Sequence, residues 1–127
     1  MGKVIERVRL SNVFDPTKNE EVKAVIDTGA TMLVLPQDLV ERLSLRKVRD
    51  ARVRYANGQV QLKPIYGIVA LEIQGRIGNF DVLGEVVGCQ PLVGQIVLEE
   101  LDLVIHPSTR QLTPNPESPE MPMVEIL

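Results

Sequence analysis

The sequence predicts an all-β fold, a barrel of short strands with one or two short helices. Short apolar runs alternate with turn residues along most of the chain, which is typical of β-barrels and sandwiches. Asn57-Gly58 stands between two such runs and is a strong hairpin signal, because both central positions of a type I′ turn favour positive φ. Hydrophobic residues make up 44% of the 127 residues but aromatic residues only 3%, so we expect one domain with an aliphatic core.

Charge and hydropathy argue against several functional classes. The net charge of −3 disfavours a protein that binds nucleic acid through phosphate contacts. No apolar run approaches the ~20 residues that a membrane span needs, and residues 1–10 are too charged for the apolar part of a signal peptide. We therefore expect a soluble, cytoplasmic protein without a nucleic-acid or membrane partner.

Cysteine and histidine are too rare to build a site of their own. Cys89 is the only cysteine, which excludes an intrachain disulfide and a cysteine-based metal site, and we expect it to be a small apolar side chain. His106 is the only histidine, and no serine or cysteine nucleophile motif accompanies it, so we expect it to be structural. No metal or cofactor is predicted.

Strand and turn signals alternate in the first half of the chain. Residues 4–10 alternate in polarity and predict a strand, residues 12–19 predict a polar turn, and residues 21–26 predict the hairpin partner. Residues 32–35 predict a buried strand, and residues 36–43 predict a short helix with one apolar face.

Residues 46–54 are rich in lysine and arginine. They fit either a surface that binds acidic substrate side chains or the solvated face of a strand, and alternation with Val53 and Tyr55 favours the strand.

The further predicted elements are a strand over residues 64–74, a turn at Gly75, more sheet and core over residues 76–87, a helix over residues 95–101, a strand over residues 102–106 and its partner at residues 111–112.

The chemistry centres on Asp27, which stands between two apolar runs and opens the tripeptide Asp27-Thr28-Gly29. Such a tripeptide is also an ordinary turn, because Asp bonds to nearby amides and Gly accepts positive φ. A charge between apolar runs is nevertheless unfavourable unless something stabilises or uses it. A second apolar element, Leu92-Val93-Gly94, carries a glycine that permits close backbone approach.

These two elements resemble the retropepsin-like (clan AA) aspartic proteases over roughly residues 3–113. The resemblance implies an acid-protease β-barrel over residues 1–113 with its active site at a homodimer two-fold axis, followed by a proline-rich tail over residues 114–127. It implies the following roles: Asp27 catalytic; Thr28, Gly29 and Ala30 supporting the active-site loop; Thr31, Tyr55, Ala56, Asn57 and Gly58 binding substrate, the last four in a flap hairpin; and Leu92, Val93 and Gly94 packing behind the site.

The number of active-site motifs sets the expected oligomeric state. Aspartic proteolysis uses two adjacent carboxylates that share a proton. No aspartate other than Asp27 is followed by Thr-Gly or Ser-Gly. An enzyme of this type must therefore be a homodimer with one Asp27 from each subunit.

Ala30 matches the retroviral form of the active-site loop and lacks the hydroxyl that many cellular relatives place beside the carboxylate, which predicts an activity optimum nearer neutral pH. The sequence departs from the family pattern in two features. Thr31 stands where retroviral enzymes carry an acidic residue that binds the substrate backbone. The flap has one glycine, Gly58, which implies a stiffer or shorter cover.

Prolines at positions 114, 116, 119 and 122 predict an extended tail. Its apolar end, residues 123–127, is a candidate edge strand for a partner subunit, as retropepsin termini contribute to the dimer interface.

The sequence thus predicts a homodimeric aspartic endopeptidase that acts on peptides or unfolded proteins. The alternative is a non-catalytic dimeric β domain of the same fold that binds peptides or assembles complexes. A third possibility is an unrelated monomeric β domain in which the Asp-Thr-Gly turn is coincidental.

Overall fold

A computed structural model of the chain describes residues 3–126. The predicted domain over residues 1–113 begins with Met1 and Gly2, and the predicted tail over residues 114–127 ends with Leu127. These three residues lie outside the described residues. The strands are β1 (Val4–Asn12), β2 (Asp15–Ile26), β3 (Leu33–Pro36), β4 (Arg46–Arg54), β5 (Val60–Ile73), β6 (Arg76–Glu85), β7 (Leu92–Val93), β8 (Leu103–His106) and β9 (Gln111–Pro114), and the helices are α1 (Gln37–Arg42) and α2 (Gln95–Leu101). Neither helix is long and apolar enough to cross a membrane.

Seven strands form one sheet in the order β1-β2-β7-β3-β6-β5-β4, and β1 also pairs with β5. The first six strands of this order therefore close into a ring, while β4 lies outside the ring with β5 as its neighbour. β8 and β9 form a separate antiparallel pair. The all-β barrel with two short helices that the sequence predicts is confirmed.

Alternating burial along β5 shows why this segment is a strand. Ile65, Val69, Leu71 and Ile73 are completely buried and Gly67 on the same face is buried as well, whereas the residues that alternate with them are half-exposed. Side chains two residues apart share one face of a strand, so this face covers the core. The predicted apolar face of residues 64–74 is confirmed.

The core is a mainly aliphatic cluster of side chains, with Phe80 as an aromatic member, inside the ring and closed by the two helices. Leu39 and Val40 of α1 and Leu98 and Leu101 of α2 pack against it. Burying one such side chain contributes about 1.5–3 kcal/mol. A smaller cluster of Val34, Ile65 and Leu83 lies apart from the main core.

The first hairpin corrects the predicted polar turn over residues 12–19. β2 begins at Asp15, so the turn is confined to Val13 and Phe14. The Asn12 side chain donates to the carbonyl oxygens of Leu43 and Ser44, at 2.9 and 3.1 Å. It also accepts a hydrogen bond from the Phe14 amide at 2.8 Å. This buried amide fixes a tight turn through contacts with a distant segment.

The expectation that residues 76–87 supply sheet and core throughout is wrong at their end. β6 ends at Glu85, and Val86 and Val87 are 63% and 68% exposed. Ile77 is also exposed, because its side chain lies on the outer face of β6.

The tail after β9 contains no helix or strand through residue 126, and it is bound to the end of α2. Asp102, expected to begin a strand, instead caps α2 in the left-handed conformation with φ 54°. Its carboxylate accepts hydrogen bonds from Asn115 at 3.0 Å, from the Ser118 hydroxyl and from the Met123 amide at 3.1 Å. These bonds hold the pKa of Asp102 below its usual value.

Arg76 binds the same part of the tail from the barrel side. Its buried guanidinium donates to the carbonyl oxygens of Leu101 and Asp102, at 2.9 and 3.0 Å, and to that of Ser118. The apolar residues nearer the chain end, Met121, Met123, Val124 and Ile126, are exposed.

Candidate active site

Asp27 lies in the loop between β2 and β3. Its Oδ1 accepts a hydrogen bond from the Gly29 amide at 2.9 Å, and its carbonyl oxygen accepts one from the Ala30 amide at 3.1 Å. These are the local bonds by which Asp stabilises a turn. An added Cβ at Gly29 would lie 3.2 Å from the carboxylate. Glycine therefore leaves the approach to Asp27 open.

β7 packs directly against this loop. Its residues Leu92 and Val93 pair in parallel with the end of β2, and Leu92 also pairs with Val34 of β3. The Asp27 amide donates to the Val93 carbonyl oxygen at 2.9 Å. The structure thus brings together the two apolar elements that are far apart in the sequence.

Gly94 permits the closest contact between the two loops. An added Cβ would lie 2.7 Å from the Ala30 carbonyl oxygen, 2.8 Å from the Met32 amide nitrogen and closer still to the Met32 carbonyl oxygen. The first residues of α2 complete the contact, because the Gln95 amide donates to the Ala30 carbonyl oxygen at 2.8 Å. Backbone atoms on both sides therefore fix the position of the Asp27 loop.

A cleft of about 690 Å³ opens beside Asp27. Among the residues singled out from the sequence, the structure places these along it: Asp27, Gly29, Ala30, Thr31, Tyr55, Ala56 and Leu92. Asn57 and Gly58 do not line the cleft but form the turn between β4 and β5. In that turn Gly58 has φ +86° and Asn57 accepts a hydrogen bond from the Gln59 amide at 2.9 Å. Thr28 and Val93 do not line the cleft either, and the Thr28 side chain is exposed.

The cleft has an apolar wall of which only Leu92 was assigned to the site from the sequence. Val34 and Leu83 of the smaller cluster line the cleft, and half-buried apolar side chains pack against that cluster. The apolar residues that line the cleft are Met32, Val34, Ala51, Val53, Leu83, Cys89 and Leu92. Alternation of Ala51, Val53 and Tyr55 is the one sequence signal that could have indicated this wall.

Cys89 lies in this apolar wall and is half-buried there. Burial raises the pKa of its thiol, so the reactive thiolate is disfavoured at neutral pH. The structure therefore gives Cys89 the properties of a small apolar side chain.

A charged group, also not identified from the sequence, faces the cleft at the end of β6. Glu85 Oε2 accepts a hydrogen bond from the Tyr55 hydroxyl at 2.6 Å, and Oε1 lies 2.7 Å from Lys63 Nζ. Burial opposes ionisation of Glu85, but the bonds from Lys63, Tyr55 and the Val86 amide outweigh it and hold the pKa of Glu85 below its usual value. The bond to Glu85 raises the pKa of Lys63. Burial and the neighbouring Glu85 raise the pKa of Tyr55.

Arg52 and Arg54 lie at the rim of the cleft and are exposed. Neither forms an ion pair with the described residues, in contrast to Lys47 of the same strand, which pairs with Asp50 at 2.9 Å. His106 is away from the cleft lining and its Nε2 lies 2.8 Å from the Thr113 hydroxyl. No group of three or more His, Cys, Asp or Glu side chains suited to a metal converges within residues 3–126.

Comparison with protein families identifies the chain. The gag-polyprotein aspartyl protease domain matches residues 17–100, which include the Asp27 loop, the β4–β5 hairpin and β7. The chain belongs to the gag-polyprotein aspartyl protease family. No curated protein sequence matches the chain. Membership in this aspartyl protease family agrees with the closed all-β barrel and with the apolar cleft beside Asp27.

Proposed function

We propose that the protein is an aspartic endopeptidase whose active site forms between two copies of the chain. The observation that carries this proposal is the position of Asp27, which is held by backbone bonds at the mouth of an apolar cleft. Family membership supports an aspartic-protease type of hydrolase. The cleft of about 690 Å³ has a mainly apolar lining, which suits apolar peptide side chains better than a small polar molecule.

The charges in the cleft support the requirement for a second subunit. Asp27 and Glu85 are the carboxylates that line it, and both oxygens of Glu85 are engaged by Tyr55 and Lys63. Within residues 3–126, one chain therefore offers a substrate in the cleft one carboxylate without a side-chain partner. Because the mechanism needs two carboxylates within hydrogen-bond distance, the second is Asp27 of the partner copy.

In this dimer the two Asp27 carboxylates share one proton and hold a water molecule between them. The unprotonated carboxylate takes a proton from the water as its oxygen attacks the peptide carbonyl carbon, and the protonated carboxylate donates to the carbonyl oxygen. Collapse of the tetrahedral intermediate breaks the C–N bond. The protonated carboxyl gives its proton to the departing amine, and a hydroxyl of the intermediate gives its proton to the other carboxylate, which yields a carboxylic acid and restores the shared proton. No covalent intermediate with the enzyme forms.

The alternative is a dimeric domain that binds peptides without cleaving them. The apolar cleft wall favours peptide binding in either case, so cleavage is the property that separates the two functions. The cytoplasmic location and the absence of nucleic-acid and membrane partners stay predictions from the sequence.

The test is cleavage of an unfolded protein or peptide pool between pH 3 and pH 8 by the wild type and by Asp27→Asn. Sedimentation of both proteins is measured in parallel. Cleavage that is lost in Asp27→Asn while the dimer persists supports the proposal. An intact wild-type dimer without cleavage favours the binding domain, and a folded monomer that is indifferent to Asp27 overturns both.

A further inference from the structure

Tyr55, Lys63 and Glu85 form a hydrogen-bonded group on the cleft side of the β4–β5 hairpin, here named the Glu85 cluster. The side chains of Lys63 and Glu85 are only 16% and 13% exposed. They are the least exposed ion pair within residues 3–126, where the other pairs have at least one partner more than half-exposed. An ion pair shielded from solvent is screened less by salt than a surface pair.

The hydrogen bonds of Glu85 argue against a role in direct binding of substrate. The Tyr55 hydroxyl occupies Oε2, and Lys63 Nζ together with the Val86 amide, at 3.1 Å, occupies Oε1. These three donors use three of the roughly four lone-pair sites of the carboxylate, and only Oε2 keeps one. Most of the bonding capacity of Glu85 therefore serves the protein itself.

The cluster joins both strands of the hairpin to a different part of the barrel. Tyr55 directly follows β4, Lys63 lies on β5 opposite Ala51, and Glu85 is the last residue of β6. Among the described strands, β4 pairs only with β5. The Glu85 cluster is therefore a side-chain connection that holds the open side of the hairpin against the wall of the cleft.

We propose that Glu85 is a positioning residue that fixes the β4–β5 hairpin over the cleft within each subunit and confines hairpin movement to residues 56–59. The effect of Glu85 on peptide cleavage rests on the proposed function, whereas its effect on the position of the hairpin does not. The tip beyond Tyr55 is exposed and held by its own turn bonds, from the Gly58 amide to the Tyr55 carbonyl oxygen and from the Tyr55 amide to the Gln59 carbonyl oxygen, both 2.9 Å. All three groups of the cluster belong to one chain, so the hairpin is positioned before a partner or a peptide binds.

The first test is amide hydrogen exchange, measured in an Asp27→Asn background so that catalysis plays no part. Tyr55→Phe removes the hydroxyl donor and keeps the ring, and Glu85→Gln removes the charge. We expect amides of residues 51–61 to exchange about tenfold faster in either variant, because a hydrogen bond to a charged group is lost. Amides of Val69 to Ile73 in the buried part of β5 report global unfolding and should change less than the hairpin amides.

Lys47→Met is the matched control. It breaks the Lys47–Asp50 pair of the same strand, in which both side chains are about half-exposed, and should leave hairpin exchange at the wild-type rate. The proposal is overturned if the hairpin amides of Tyr55→Phe exchange at the same rate as those of Lys47→Met. It is also overturned if exchange of the hairpin amides and of the core amides of β5 becomes faster by the same factor. Tyr55→Phe decides the question if Glu85→Gln does not fold.

The second test uses the active dimer. A misplaced hairpin weakens peptide binding, so Tyr55→Phe should raise KM several-fold with kcat within about twofold of the wild type. If the substitution only reduced stability, it would lower the fraction of folded, active enzyme and leave KM unchanged. That result contradicts the positioning role. If the wild type proves to cleave no peptide, the exchange experiment still decides between a positioned and a free hairpin.

Discussion

The amide of Asp27 donates a hydrogen bond of 2.9 Å to the carbonyl oxygen of Val93. This bond continues the parallel pairing of β2 with β7 by one step, past Ile26 and Val93. The bond joins the Asp27 loop to β7, which lies between β2 and β3 in the sheet. The conformation of the loop thus depends on a close approach of two backbones, which Gly94 makes possible.

Gly94→Ala should therefore damage both the site and the fold. The added Cβ meets backbone atoms of Ala30 and Met32, which cannot move away as a flexible side chain can. We expect a loss of about 3 kcal/mol or more in unfolding free energy, measured by chemical denaturation. Where the protein still folds, peptide cleavage should fall more than the folded fraction does, because the displaced loop carries Asp27.

Gly75→Ala is the control for Gly94→Ala. Gly75 has φ +81° with nothing within 4 Å of an added Cβ, so the substitution adds backbone strain without a collision. We expect it to cost about 1–2 kcal/mol and to leave cleavage by the folded protein unchanged. Equal losses at Gly94 and Gly75 would show that the contact behind the Asp27 loop is not tight.

Mixed dimers test the sharing of Asp27 between subunits. When Asp27→Asn is added to an equal amount of wild type and the subunits exchange, about half of the wild-type chains are paired with an inactive partner. Cleavage should then fall to about half at constant wild-type concentration and saturating substrate. An active site complete within one chain would leave the rate unchanged, and an inert protein added at the same concentration controls for non-specific effects.

Local patterns in the sequence were sufficient to predict many of the secondary-structure elements. The Asn57-Gly58 turn, the apolar face of β5 and the spacing of Val97, Leu98 and Leu101 each depend on residues near one another in the chain. The corresponding hairpin, strand and α2 helix are confirmed. Such signals need no knowledge of how the elements pack.

Features that depend on distant segments could not be predicted in this way. The first turn is set by Asn12 through the carbonyl oxygens of Leu43 and Ser44, which no local pattern connects to it. The Glu85 cluster exists only because the register of β4, β5 and β6 brings its members together. In the sequence Glu85 precedes two valines that were expected in the core but are exposed.

Arg76 should be required for the tail to stay bound to the barrel. Arg76→Met fits a similar volume but leaves the carbonyl oxygens of Leu101, Asp102 and Ser118 without this donor. We expect a loss of about 2–4 kcal/mol in unfolding free energy and faster proteolysis within residues 115–126. Arg46→Met, at an exposed position of β4 without an ion pair among the described residues, should change neither measurement.

The Glu85 cluster should make stability depend on pH in a defined direction. Because the pKa of Glu85 is lowered in the folded protein, its contribution is present above the unfolded value of about 4.3 and is lost as pH falls through the folded value. The raised pKa of Lys63 has the opposite sense, so its contribution is present below about pH 10.4 and is lost as pH rises further. The cluster is therefore fully stabilising between about pH 5 and pH 10.

The measurement is the difference in unfolding free energy between the wild type and Glu85→Gln as a function of pH. We expect a difference of about 2 kcal/mol near pH 7 that shrinks as the pH is lowered below about 4, while Lys47→Met follows the wild type throughout. A difference that stays constant down to pH 3 would show that the charge of Glu85 does not stabilise the hairpin. Loss of the cluster in acid also acts in the same direction as the absent hydroxyl at Ala30, so both favour cleavage nearer neutral pH.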